Sequence, residues 1–263
     1  MTEKVVYVEV AYMVVCYQEE VLTTLILRRS IMYKRLILLI SILIFASLAT
    51  APAGAEPNLV ACWNFDDSTA DDSSGNAHDG TVIGDVNFYD DPERGVVGNF
   101  PGGSGNYINC GGGGGGTWAD ITDEITVMAW VKTDGYTITY QYVGAKESSW
   151  RISRYSTTDQ LRWYNTGMTP SSLYGTNNIQ DGEWHHVAGV YDGSNRYLYI
   201  DGDVDASDAE TGSLGTNTFA VTIGGTLKAD SLARTWVGQI DDFRIYDKGL
   251  TESQIEAIID ATN

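Results

Sequence analysis

Two adjacent histidines, in Gly182-Glu183-Trp184-His185-His186-Val187-Ala188, are the residues of this chain best suited by type to bind a metal or move a proton. Their surroundings read as a strand, where neighbouring side chains point to opposite faces, so the two rings cannot serve one site. No third ligand stands at metal-site spacing, and a structural role is expected for the pair. Asp201, Asp203, Asp205 and Ser207 repeat the opening ligands of a helix-loop-helix calcium loop. Its sixth position is Ala206 where glycine is needed, and its twelfth is Gly212 where glutamate is needed, which excludes that site. The six glycines from Gly111 to Gly116 invite a phosphate cradle, yet the strand, helix and lysine that such a cradle needs are missing around them. They read as a flexible loop.

These residues are carried by short runs rich in Val, Ile, Tyr, Trp and Thr, separated by clusters of Gly, Asp, Asn and Ser. Clear runs are 125–132, 150–155, 160–164, 184–191, 196–200, 220–223 and 236–246. Asp201-Gly202 between two of them supplies the positive φ angles of a two-residue hairpin turn. Helical periodicity is confined to the C-terminus, where Thr251-Glu252-Ser253-Gln254 has capping-box spacing ahead of Ile255, Ile258 and Ile259. The pattern is that of an all-β sandwich or barrel closed by a short helix, with no internal repeat and no second domain.

At the N-terminus, Met32-Tyr33-Lys34-Arg35 feeds a mostly apolar run from Leu36 to Ala49 that ends in Ala53-Gly54-Ala55. That run is shorter than the roughly 20 residues a bilayer span needs, and the small residues mark a signal-peptide cleavage site. Residues 32–55 are therefore expected to be a secretory signal peptide, residues 1–31 a mis-assigned upstream start, and residues 56–263 the exported domain. The alternative is an uncleaved N-terminal anchor, the one route by which a membrane enters this reading.

Removing residues 1–55 leaves 11 basic against 31 acidic side chains, a net charge of −20. Nucleic acid is excluded as an expected partner, because phosphate binding needs a concentrated positive surface. Two cysteines remain, Cys62 and Cys110, each beside a strand-like run. An even count in an exported domain favours a disulfide between them, with two separately buried thiols as the alternative.

The middle of the chain is rich in rings: Tyr136, Tyr140, Tyr142, Trp150, Tyr155, Trp163, Tyr164 and Tyr174. Aromatic faces pack against the C–H faces of sugar rings, and strands are rich in aromatics for purely structural reasons as well. Trp150, Trp163, Tyr155 and Tyr164 are the candidate ligand-binding residues. The alternation does not say which face is core.

Three segments carry a family resemblance: Trp63-Asn64-Phe65-Asp66-Asp67 with the turn Asp72-Ser73-Ser74-Gly75-Asn76, the Trp184-His185-His186-Val187 segment, and Ile240-Asp241-Asp242-Phe243-Arg244-Ile245-Tyr246. In this order they resemble the LamG-like jelly-roll domain of the concanavalin A-like lectin/glucanase superfamily, over roughly residues 58 to 260. The resemblance implies a two-sheet antiparallel jelly-roll sandwich with a short C-terminal helix. Laminarinase-type glucanases share that fold and carry a Glu with an Asp two residues later. No Glu in this chain has one, so a non-catalytic module is expected. The ligand implied is carbohydrate, with a structural or adhesive cell-surface module binding a protein as the alternative. The resemblance also implies a structural calcium ion between Asp66 and Asp241, with carbonyls of the 74–80 turn as further oxygen ligands. Alternation would put Asp241 on the face of Phe243 and Ile245, a costly place for an unpaired carboxylate if that face is the core.

Overall fold

The computed structural model describes residues 56–133, 135, 140–155, 158–227 and 234–263. The expected signal peptide, the upstream segment and Tyr136 lie outside these residues. A compact unit, Ala55–Asn263, contains everything that follows. Its strands in chain order are β1 (Leu59–Trp63), β2 (Thr81–Ile83), β3 (Asn87–Asp91), β4 (Gly95–Pro101), β5 (Tyr107–Asn109), β6 (Ile125–Lys132), β7 (Tyr140–Lys146) and β8 (Trp150–Tyr155). They continue with β9 (Gln160–Asn165), β10 (Ser172–Asn178), β11 (Trp184–Tyr191), β12 (Asn195–Ile200), β13 (Asp203–Ala209), β14 (Val221–Ile223) and β15 (Val237–Tyr246), and one helix, α1 (Glu252–Thr262), closes the unit.

Two antiparallel sheets form a sandwich, as the residue pattern implies. The first has the order β13-β12-β11-β6-β15-β4-β3, with β1 also pairing β15, and the second has the order β10-β9-β8-β7-β14-β5-β2. Between them lies an apolar core in which Trp63, Phe100, Ile240 and Phe243 of the first sheet meet Ile108, Val143, Trp150, Ile152 and Trp163 of the second. Two glycines set how closely the layers approach. A Cβ on Gly144 would come within 2.3 Å of the Phe243 ring, and one on Gly189 within 2.5 Å of the Trp163 ring. Each sheet thus sinks one ring into a socket that only glycine leaves open in the other.

The β12–β13 hairpin turns at Asp201 (φ 53°) and Gly202 (φ 90°), as the Asp-Gly pair predicts. Helix α1 starts at the expected capping box: the Gln254 side chain accepts the Thr251 backbone N–H at 3.0 Å. Its apolar face, Ile255 and Ile258 with Leu250 before it, covers Met128, Ala188, Val190, Tyr199 and Tyr246 on the outer face of the first sheet. That second cluster explains why several strands of this sheet are buried on both faces.

Two expectations are corrected here. Cys62 and Cys110 are free thiols. Ala61 and Trp63 point into the core, so alternation turns Cys62 outward, where its thiol donates to Asp242 at 3.6 Å. Cys110 points inward from the other sheet, so the two side chains lie on different faces of the sandwich.

The parity of Asp241 is also reversed. The pairing of β15 with β6 shifts register between Asp241 and Arg244, and Asp242 adopts φ 48°, which together make a β-bulge. Ile240 and Phe243 both stay in the core across the extra residue, and Asp241 turns to the outer face beside Arg94.

Candidate functional site

The outer face of the second sheet carries a lattice of tyrosines and arginines. On β8 and β9 the apolar side chains Trp150, Ile152, Leu161 and Trp163 enter the core. Their alternate neighbours Arg151, Ser153, Tyr155, Arg162 and Tyr164 therefore face outward. Strand pairing then aligns Tyr142, Ser153, Arg162 and Tyr174 in one row across β7, β8, β9 and β10. A second row pairs Arg151 with Tyr164, and a third pairs Tyr140 with Tyr155.

Within this lattice each guanidinium lies over a phenol ring. Arg151 is 3.6 Å above the centroid of Tyr164 and 5.5 Å from that of Tyr142. Arg162 is 4.4 Å from Tyr155 and donates through Nε to the Ser153 hydroxyl at 3.1 Å. Arg234 is 5.1 Å from Tyr140 and donates to the Tyr142 hydroxyl at 2.8 Å. The rings also touch one another, with Tyr155 centred 5.5 Å from both Tyr140 and Tyr174. Tyr174 is the most open, at 49% exposure, whereas Arg162 beside it in the row is 5% exposed.

Burial acts on these groups as expected. It pushes the Tyr142 hydroxyl above its ordinary pKa, and it pulls Arg162 below its ordinary value, with Arg151 adding repulsion. Glu147 supplies the local negative charge: it accepts Arg151 at 3.0 Å and Thr226 at 2.9 Å, and Arg234 lies 3.8 Å away. Among the described residues Arg162 has no carboxylate within ion-pair distance.

The candidate residues divide accordingly. Tyr155 and Tyr164 stand on this outer face. Trp150 and Trp163 do not: they are 1% and 0% exposed, centred 6.4 Å apart in the core, with Trp163 donating to the Val190 carbonyl at 3.2 Å. Sequence reasoning missed Arg151, Arg162 and Arg234. For Arg151 and Arg162 the available signal was the alternation Trp-Arg-Ile-Ser and Leu-Arg-Trp-Tyr, in which one arginine and one hydroxyl-bearing residue at alternate positions mark the solvent side.

The histidine pair behaves as adjacent strand residues must. His186 is buried against Trp130, ring centroids 5.4 Å apart, and burial lowers its pKa to about 3. His185 points the other way, to Asp201 at 2.7 Å and Asp181 at 3.2 Å, and these carboxylates raise its pKa against the effect of burial.

Asp66 is exposed and accepts the Asn64 side chain at 2.6 Å. Asp241 is buried on the outer face of the first sheet and paired with Arg94 at 2.9 Å. Among the described residues no group of three or more His, Cys, Asp or Glu side chains is gathered to hold a metal. A cation between these two carboxylates would therefore need backbone carbonyls as its further ligands. In the 72–76 turn, Asp72 resists the rise that burial would cause because it accepts the backbone N–H groups of Cys62, His78 and Ser74, a structural use of that carboxylate.

A two-sheet antiparallel sandwich with an aromatic and cationic outer face is the class this geometry defines. The chain belongs to the concanavalin A-like lectin/glucanases superfamily, whose Laminin_G_3 model matches residues 102–256. Among solved structures it is similar to domain 4 of AbnA, a GH43 extracellular arabinanase from Geobacillus stearothermophilus, in complex with arabinotriose. The TM-score is 0.57 at 22% identity, covering 76% of this chain and 98% of that one. The binding domain of Paraclostridial Mosquitocidal Protein 1 matches with TM-score 0.61 at 15% identity, covering 78% and 52% of the two chains. The receptor binding domain of botulinum neurotoxin C/D mosaic serotype matches with TM-score 0.59 at 14% identity, covering 78% and 51%. This chain spans about half the length of those toxin domains, and at such identities the likeness is one of fold. No curated protein matches the chain.

Proposed function

We propose that the chain is an exported, non-catalytic carbohydrate-binding module that presents the tyrosine and arginine face of its second sheet to a saccharide. The observation that carries this reading is the row Tyr142–Ser153–Arg162–Tyr174 with Tyr155 and Tyr164 beside it. Phenol rings offer flat apolar faces to the C–H side of a sugar, and guanidinium and hydroxyl groups at fixed spacing reach its oxygens. The arabinanase domain solved with arabinotriose lends support, as a domain of similar fold that holds a saccharide.

Hydrolysis would require two carboxyl groups flanking one glycosidic bond. Among the described residues Glu147 is the one carboxylate that this lattice engages, and it is committed to Arg151 and Thr226. Export rests on the signal segment at residues 32–55.

A glycan array tests the reading. Binding to a defined set of saccharides that is lost in Tyr174→Ala and Tyr155→Ala, without release of reducing sugar, supports it. Silence across the array overturns it and favours a cell-surface protein as the partner.

Calcium is a separate, structural proposal. Asp241 Oδ1 is buried with no hydrogen-bond partner, as an oxygen left for a cation would be, although Arg94 already meets the charge of that carboxylate. A fall in melting temperature on chelation, restored by calcium and absent in Asp241→Asn, supports it; a melting temperature indifferent to both removes it.

A further inference from the structure

The charge on the tyrosine face runs against the charge of the molecule. The domain carries 11 basic residues against 31 acidic ones, so an average patch of its surface is negative. On this face Arg151, Arg162 and Arg234 converge on five tyrosines, with Glu147 as their one carboxylate partner among the described residues. Among the described residues the local sum is therefore positive.

Arg162 is where that excess concentrates. It lies in the middle of the four-strand row, 95% removed from solvent by its 5% exposure, and its Nε is spent on the neutral Ser153 hydroxyl. Burying a cation with no counter-ion is costly, and next to a second guanidinium it is costlier. The ring faces of Tyr155 and Tyr164, at 4.4 and 5.5 Å, offset part of that cost through their negative quadrupoles. Its side-chain hydrogen-bond partners, Ser153 and Tyr174, are both neutral hydroxyls, so neither meets its charge. A cation kept in this state is suited to an anion arriving from outside, because a guanidinium holds a carboxylate or sulfate through two parallel hydrogen bonds.

Resting on the saccharide reading above, we infer that the ligand is an acidic saccharide whose carboxylate or sulfate group pairs with the guanidinium of Arg162, while Tyr155, Tyr164 and Tyr174 stack against the sugar rings. Arg151 contributes less, since Glu147 already neutralises it. The −20 charge of the whole domain then acts as a filter, because a polyanion meets net repulsion from the rest of the domain.

The test uses the intact protein and charge-matched pairs: oligogalacturonate with its methyl ester, sialyllactose with lactose, and sulfated with desulfated heparin oligosaccharide. Titration calorimetry should show at least one acidic member binding tenfold or more tighter than its neutral partner, a gap that added salt narrows. Arg162→Gln should abolish the gap, bringing each acidic member to the affinity that its neutral partner has for the same variant. If Arg162→Gln does not fold by circular dichroism, the salt dependence of the unaltered protein still decides, because neutral binding has no reason to respond to it. Equal binding of acidic and neutral members overturns this inference and leaves the saccharide reading intact. Binding of polyglutamate as tightly as of the best acidic glycan overturns the saccharide part, showing a site for anionic peptide. Absence of binding to every probe overturns both.

Discussion

Arg94 donates through Nε to Asp241 at 2.9 Å, across 147 residues of chain, and both side chains are 6% exposed. The same guanidinium lies 4.2 Å over the Trp130 ring and donates to the Thr262 carbonyl at 2.9 Å. Trp130 in turn donates to the Thr262 hydroxyl at 3.0 Å. One ion pair therefore ties the bulge in β15 to the end of α1. A cavity of about 370 Å³ lies beside it, lined by Glu93, Arg94, Trp130, Trp184 and Asp201 among others. Its one arginine is already held by protein groups.

Removing Arg94 should be expensive. Arg94→Met leaves Asp241 buried without its counter-ion, and loss of one partner of a buried pair costs about 3–5 kcal/mol. Asp241→Asn in the same chain should recover much of that loss. Urea unfolding of the two single variants and the double variant measures it. A loss below about 1 kcal/mol for Arg94→Met would show that the pair is not what holds the helix end.

His186 sets an acid limit to stability. Its ring stays neutral in the fold down to about 3, whereas in the unfolded chain it protonates near its ordinary 6.5. Between these values the unfolded state binds more protons, so stability falls as pH is lowered, by up to about 1.4 kcal/mol per pH unit. His185 acts oppositely: its raised pKa gives stability that is present below 6.5 and is lost as pH rises through its folded value. His186→Leu should flatten the acid limb of a stability–pH curve. An unchanged limb would place the acid sensitivity elsewhere.

The sandwich, the Asp-Gly hairpin and the helix cap were legible because each depends on local rules: period-two alternation, a turn requiring positive φ, and capping spacing. The strands β2, β3, β4, β7 and β10 were not, since segments such as Asn87-Phe88-Tyr89-Asp90-Asp91 and Gly95-Val96-Val97-Gly98-Asn99 owe their pairing to neighbours more than to composition. Asp241 shows why parity alone is a weak guide: a single extra residue at Asp242 moved it to the opposite face. Which face of β8 and β9 was core needed the sheet-on-sheet packing, and from that followed the loss of Trp150 and Trp163 as ligand residues and the appearance of Arg162.

Cys62 and Cys110 should behave as independent thiols. Both are buried, and burial raises each far above an ordinary thiol pKa, which leaves little thiolate to react. Alkylation should be slow in the native protein and take two equivalents after denaturation, and reductant should not move the melting temperature. A non-reduced peptide joining the two would overturn the unbonded arrangement.

The division of the aromatic residues gives a paired test. Trp163→Ala empties the socket against Gly189, and deleting a core tryptophan costs about 3–5 kcal/mol. Tyr174→Ala removes a ring that is 49% exposed, so its stability cost should be small, within about 1 kcal/mol. Saccharide binding should respond in the opposite order, abolished in Tyr174→Ala and retained by Trp163→Ala at temperatures where that variant is still folded. Gly189→Ala separates packing from ligand contact more sharply still. The added methyl would meet the Trp163 ring at 2.5 Å from the first sheet, on the far side of the core from the tyrosine face. Overpacking of this kind costs about 1–3 kcal/mol, with affinity for the saccharide unchanged. Affinity lost in Gly189→Ala while Tyr174→Ala binds normally would move the ligand off the second sheet.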